Sequence, residues 1–198
     1  MNQLYFIRHG AVAGNLQRRY IGRTDEPLCE EGRSQIQALQ KQCLTADRVF
    51  VSPLLRTRQT AEMLFPHQEH TILQDLRETD FGLFEGKNAA ELVDNAAYRR
   101  WVDSGCQGEI PGGESVQKFK ARCCAAFCQA MTMLSAEESA AFVVHGGTIM
   151  AILEAFARPR REYYQYHIGN GQLLRAVYNQ GEITVSAMGN SGVFSFYL

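Results

Sequence analysis

Net charge is what this sequence has least of. Its 20 lysines and arginines stand against 21 aspartates and glutamates, leaving −1 over 198 residues with the histidines neutral. That balance gives no electrostatic case for nucleic acid or an anionic membrane as partner, so any anion recognition has to be local. Long apolar runs are missing as well: none approaches the roughly 20 residues that a membrane-spanning helix requires. The first apolar strand begins within a few residues of Met1, leaving no room for a charged, apolar and cleavable leader, and the expectation is a cytoplasmic protein. The third absence is a metal-type cysteine spacing. Cys29, Cys43, Cys106, Cys123, Cys124 and Cys128 match no zinc pattern, and three of them fall on one predicted helix, so they read as reduced packing thiols. What remains, 45% hydrophobic and 21% charged, is ordinary globular composition, enough for one sizeable core in a single domain over residues 1–198.

What is present is organised around Leu4-Tyr5-Phe6-Ile7-Arg8-His9-Gly10, an apolar strand that ends in a cation, an imidazole and a glycine. A buried strand that closes on Arg8 needs its charge compensated, which points to an anion there. His9 is a nucleophile when neutral, Arg8 offers a two-pronged donor to phosphate oxygens, and Gly10 lets the backbone turn away without crowding a ligand.

Further along, a polar stretch from Ala11 to Pro27 is too long for a tight turn and reads as a functional loop. Helical periodicity covers Glu30 to Gln42, with Ile36, Leu39 and Cys43 on one face. A short β-rich run, Arg48 to Ser52, leads into a helix over Leu54 to Phe65. His70 to Leu73 reads as a strand, Arg77 to Gly86 as a loop, and short helices extend to about Asp103. The turn-rich segment from Gly105 to Gly113 precedes the longest helical pattern, Glu114 to Leu134, whose Val116, Phe119, Cys123, Phe127, Ala130 and Leu134 form a core stripe. Ala140 to Val144 is an apolar strand that closes on His145-Gly146-Gly147, and Ile149 to Phe156 resumes a helix. Gln172 to Tyr178 and Glu182 to Ala187 read as an antiparallel hairpin. Strands alternating with helices imply an α/β three-layer sandwich with a mostly parallel central sheet and an antiparallel strand, in which ligands sit beyond the carboxyl ends of the strands.

His9, His145 and Ser52 all fall at such ends. Arg56, in the first turn of its helix, points back toward one of them. Glu78, flanked by aromatics and glycine, is a carboxylate that partial desolvation would allow to hold a proton. Each has a plainer reading: a rim histidine bonded to backbone, a solvated helix arginine, a loop carboxylate paired with Arg77. A metal set of His9, His145 and Glu78 competes in principle, but two neighbouring arginines would oppose a dication.

Taken together, Arg8-His9-Gly10, Asn15, Ser52-Pro53-Leu54-Leu55-Arg56-Thr57-Arg58-Gln59-Thr60-Ala61, Glu78 with Gly82 and Gly86, and Val144-His145-Gly146-Gly147 resemble the histidine phosphatase superfamily, also called phosphoglycerate mutase-like. The resemblance implies that His9 accepts the phosphoryl group. It makes Arg8, Arg56 and a protonated His145 the pocket for the phosphoryl oxygens, and Glu78 the proton donor. Asn15 would contact the ligand, and Gly22 and the Gly146 amide would line the pocket. Such chemistry calls for no metal and no cofactor, and its partner is a small-molecule phosphomonoester. Two departures stand out: Ala11 and Val12 where many relatives carry an acidic residue, and Cys29 where a small hydroxyl residue is usual. The stretches 22–28, 80–86 and 111–115 are similar to the α-ribazole-phosphate phosphatase branch, and 79–144 is short for the insertion of cofactor-dependent mutases. A metal-independent phosphatase acting on α-ribazole 5'-phosphate in cobalamin synthesis is therefore the leading expectation, against a mutase or a catalytically silent phospho-ligand binder.

Overall fold

In the computed structural model, which describes residues 1–186, six strands form one sheet in the order β3-β2-β4-β1-β5-β6. The strands are β1 (Asn2–Arg8), β2 (Arg48–Val51), β3 (His70–Ile72), β4 (Ala140–Val144), β5 (Leu173–Asn179) and β6 (Glu182–Val185). The pairs β3/β2, β2/β4 and β4/β1 are parallel, whereas β5 and β6 add on antiparallel beyond β1. This is the mostly parallel sandwich with an antiparallel addition that the sequence implies. The far end of the expected hairpin, Ala187, lies outside the described residues.

The central strand Ala-Ala-Phe-Val-Val is buried at every position, as a strand covered on both faces must be. Alternation along β1 divides the core in two. Leu4 and Phe6 pack with Phe50, Phe142 and Val144 beneath α6 (Val116–Thr132) and α7 (Gly146–Phe156), where Phe127, Ile149, Ile152 and Leu153 close the layer. Tyr5 and Ile7 pack with Val49, Val51, Ala141 and Val143 beneath α2 (Glu30–Gln40) and α3 (Leu55–Leu64), against Leu39 and Ala61. Phe142 sits in the first layer within ring contact of Phe6, Phe50 and Phe127, at centroid distances of 5.4, 5.1 and 5.4 Å. Truncating it to alanine would cost about 3–5 kcal/mol.

Two short helices, α4 (Ala89–Leu92) and α5 (Ala96–Asp103), carry a satellite cluster of Phe84, Leu92, Tyr98, Trp101, Cys106 and Ile110, joined by Tyr20 and Phe81. The loop after β1 contains one further turn of helix, α1 (Ala13–Leu16). No helix among the described residues is long and apolar enough to cross a membrane.

Among the element boundaries that differ from the sequence expectation, three have a clear local cause. Helix α2 ends at Gln40, two residues early, and Cys43 is exposed with a left-handed backbone (φ +48°), so it does not belong to the buried face of Ile36 and Leu39. Helix α6 starts at Val116 because the Ser115 side chain caps it by accepting from Lys118 N. Helix α7 starts at Gly146, so the two glycines after His145 form its first turn rather than a loop. A β-carbon at Gly147 would collide with the Glu78 carboxylate, so glycine here reflects close approach.

Register aligns the strand ends. Arg8 pairs with Val144, and both Ile7 and Val51 pair with Val143, so β1, β4 and β2 finish at one rim. The ladder continues one step beyond each end, with His9 N donating to Val144 O at 3.1 Å and Ser52 N to Val143 O at 3.2 Å.

Candidate active site

The rim brings His9 and His145 together with ring centroids 5.1 Å apart, edge to face. His9 is only 4% exposed, and Arg56 and His145 are fully buried. His9 Nδ1 lies 2.7 Å from the Gly10 carbonyl, which can only accept. Nδ1 therefore carries the proton and Nε2 keeps a lone pair. Burial first, and then the guanidiniums of Arg56 and Arg8, push His9 well below the ordinary histidine range, outweighing the Gly10 bond, so the ring is neutral at pH 7. Gly10 is required by helix α2: a β-carbon there would meet the Gly32 carbonyl.

Each arginine is fastened by one edge. Arg8 Nη1 donates to Ile168 O at 2.8 Å and to His167 Nε2 at 2.9 Å, and its guanidinium lies against Gly146. Because arginine only donates, His167 must present a lone pair at Nε2. Burial and the Arg8 charge lower His167 to about 4. Arg56 donates through Nη1 to Thr24 O and through Nη2 to Gly22 O, both at 2.8 Å. Glu85 holds that loop in turn, accepting from Gly22 N at 2.7 Å, Thr24 N at 2.9 Å and Phe81 N at 3.2 Å. Burial lowers both arginines, but each keeps an offsetting attraction to Glu78.

Fastening by one edge leaves donors over. Among the described residues, the buried side-chain nitrogens without a hydrogen-bond partner are Arg8 Nε, Arg56 Nε, His145 Nδ1 and Trp101 Nε1. The first three belong to this rim. Buried polar groups are nearly always satisfied. Three orphans from three separate segments at one rim, two of them on guanidiniums, are chemistry suited to an oxyanion.

His145 is the N-cap of α7, and its Nε2 lies 2.6 Å from Ser52 Oγ. Its surroundings correct one expectation. Burial, then Arg56, His9 and Arg8, push it well below the ordinary range, so this pocket favours a neutral imidazole where sequence reasoning supplied an imidazolium. Glu78 is half-buried, with Oε1 accepting from Thr79 N at 2.9 Å and Oε2 from Gly147 N at 3.1 Å. It does not pair with Arg77, which contacts Asp75. Its backbone is clamped by Arg122, which donates to the carbonyls of Asp75, Arg77 and Glu78 at 2.8, 2.8 and 3.0 Å. Glu114 orients Arg122 through two bonds of 2.7 Å.

Other sequence-derived residues fall one step away. Asn15 Oδ1 accepts from Val12 N and from Asn170 Nδ2, both at 3.2 Å, and Asn170 also donates to His9 O. Gly22 supports Arg56 through its carbonyl, and its amide is committed to Glu85. Gly146, at the start of α7, backs the Arg8 guanidinium. The two departures from the family pattern touch each other: Cys29 donates to Ala11 O through both Sγ, at 3.2 Å, and N, at 3.1 Å. Ala11 is buried there, with its backbone lying close to Gly32 of α2. Sequence reasoning missed Glu85, Arg122 with Glu114, His167 and Asn170. Glu85 lay inside a stretch already singled out, and Arg122 sits eight residues after Glu114, but no pattern marks the irregular segment that holds His167 and Asn170.

With this geometry in place, similarity to known proteins becomes informative. A protein described as "Probable phosphoglycerate mutase GpmB" from Enterobacter sp. (strain 638) is 33% identical over 139 residues, 67% of this chain and 65% of the relative's length. The chain thus aligns with just under two thirds of the curated relative it matches. Among solved structures, the alpha-ribazole phosphatase from Shigella flexneri superposes with a TM-score of 0.83 at 24% identity, covering 94% of this chain and 95% of the other, a likeness of fold. The protein TTHB049 from Thermus thermophilus superposes with a TM-score of 0.71 at 29% identity, covering 94% of this chain and 99% of that one. The profile of the histidine phosphatase superfamily (branch 1) matches residues 4–191, nearly the whole sequence, and the chain belongs to that family.

Proposed function

We propose that the protein is a metal-independent phosphomonoesterase that works through a phosphohistidine at His9. The observation that carries this reading is the pairing of the lone pair left at His9 Nε2 by the Nδ1–Gly10 bond with three unpartnered buried nitrogens, Arg8 Nε, Arg56 Nε and His145 Nδ1. A phosphoryl group has three non-bridging oxygens, and charge spreads over them during transfer, so donors fixed before substrate arrives stabilise the transition state most. His9 Nε2 attacks phosphorus as the bond to the ester oxygen breaks. The departing oxygen takes a proton from Glu78, which is then a carboxylate. Glu78 next removes a proton from a water molecule that attacks phosphohistidine, the N–P bond breaks, and phosphate leaves with His9 and Glu78 restored.

For the substrate, the reading is a small phosphorylated metabolite, with α-ribazole 5'-phosphate first. It is supported by the stretches 22–28, 80–86 and 111–115 and by the fold shared with the Shigella enzyme. A second reading, phosphoglycerate mutase action, is favoured by the name of the 33% identical relative. Turnover of p-nitrophenyl phosphate and a panel of phosphorylated metabolites, α-ribazole phosphate included, in the presence of a chelator tests the proposal. Hydrolysis by the wild type and none by His9→Ala supports it. Retained hydrolysis in His9→Ala, or loss of wild-type activity in the chelator, contradicts it, and conversion of phosphoglycerate isomers with little net hydrolysis favours the mutase.

A further inference from the structure

Ser52 closes β2 at the same rim as the two histidines but has no part in the chemistry above. It is fully buried, and its backbone is committed at both ends: N donates to Val143 O at 3.2 Å, and O accepts from Thr57 Oγ1 at 2.8 Å. Its hydroxyl meets a single partner among the described residues, His145 Nε2 at 2.6 Å, which is short for a hydrogen bond. On the other side of that ring, Nδ1 is buried without a partner.

Building on the phosphatase reading, we propose that Ser52 is a positioning residue that donates its hydroxyl proton to His145 Nε2, holding the neutral ring as the Nδ1–H tautomer with that proton directed at a phosphoryl oxygen. The alternative tautomer fails on two counts. A proton on Nε2 would make Ser52 the acceptor and leave its own hydroxyl proton without an acceptor among the described residues. It would also turn the Nδ1 lone pair toward an oxyanion, setting acceptor against acceptor. His145 thus serves as a neutral donor, which suits a ring already flanked by two guanidiniums and standing at a helix N-terminus, where further positive charge is disfavoured. Ser52 has to be hydroxylic to donate, and alanine in its place keeps a small side chain while removing the donor.

The test is the site of the His145 ring proton in the full-length protein labelled with ¹⁵N-histidine. Long-range ¹H–¹⁵N spectra are recorded at pH 7, with His145 among the five histidines identified by loss of its signals in His145→Gln. The expected result is a protonated Nδ1 and a bare Nε2, with Ser52→Ala mixing the two tautomers and lowering kcat/KM about 10-fold, the size of one neutral hydrogen bond. Ser52→Thr, which keeps the hydroxyl, should restore both. A purely structural role would lower activity in Ser52→Ala without moving the proton. A wild-type proton on Nε2 overturns the proposal, and that spectrum decides it even if Ser52→Ala fails to fold. Phosphohistidine trapping on the same sample separates the two readings. Absence of phospho-His9 with the proton on Nδ1 strikes the phosphatase mechanism and leaves the tautomer assignment. Phospho-His9 with the proton on Nε2 strikes Ser52 alone.

Discussion

At the end of β1, His9 turns Nδ1 onto the Gly10 carbonyl at 2.7 Å. At the end of β4, His145 turns Nε2 onto the Ser52 hydroxyl at 2.6 Å. Both rings are buried beside the same two arginines, and both are held neutral by burial and those charges. They differ in which nitrogen is tied and by what. A carbonyl can only accept, so His9 is left with a lone pair at Nε2. A hydroxyl can donate, so His145 can be left with a proton at Nδ1. On the proposed mechanism these two similar strand ends become a nucleophile and an oxyanion donor, the distinction coming from one hydrogen-bond partner each.

Removing the nucleophile should give the largest effect. His9→Ala is expected to lose turnover on the order of a million-fold, the scale of deleting a covalent nucleophile, with no phosphohistidine by intact-mass measurement. Glu78→Gln should reduce kcat by roughly 100 to 10,000-fold on alkyl phosphates and less on aryl phosphates, whose leaving oxygen needs less help. Equal losses on the two substrate types would remove Glu78 from the acid role. His145→Ala should lower kcat/KM by roughly 100 to 1,000-fold, as for loss of one oxyanion donor, while a phosphohistidine at His9 can still be trapped. If that variant matched His9→Ala in every assay, the division of labour between the rings would be wrong.

Smaller effects come from pH. His9 and His145 lie well below their ordinary value of 6.5, and His167 at about 4. In the unfolded chain these rings take up protons as pH falls through 6.5, whereas in the folded protein they do not. Stability that is full above 6.5 is therefore lost as pH falls from there toward about 4, where His167 protonates. Urea midpoints at pH 7.5 and 5 should fall in that order, and His167→Gln should flatten the dependence. An unchanged midpoint would mean that the rings are protonated in the fold. NMR titration should likewise show no protonation of His9 between pH 8 and 6.

Much of this site was legible because the strand ends are. An apolar run that stops on Arg8-His9-Gly10, and another on His145-Gly146-Gly147, carry both the fold signal and the chemistry in adjacent residues. Arg56 was readable for the same reason, one turn beyond Ser52. What was not legible depends on contacts between segments far apart in sequence. The charge state of His145 follows from two guanidiniums brought in from β1 and α3, which no local pattern reports. Gly10 read as room for a ligand, yet it is set by the approach of Gly32, and Cys29 and Ala11 looked like two unrelated departures until the thiol was found on the Ala11 carbonyl. Support for the arginines comes from Glu85 and His167, 29 residues after Arg56 and 159 after Arg8, in irregular segments where neither helical nor strand periodicity applies. The extent of α2 was overread because Cys43 continues its apolar spacing, although the chain has already turned there into a left-handed conformation.

The account stands most directly on where the phosphoryl group is caught. Quenching turnover of p-nitrophenyl phosphate in alkali, which preserves phosphohistidine, followed by peptide mapping and ³¹P NMR should find the label on His9, attached at Nε2. Label on His145, label at Nδ1 of His9, or steady turnover with no labelled histidine would contradict it.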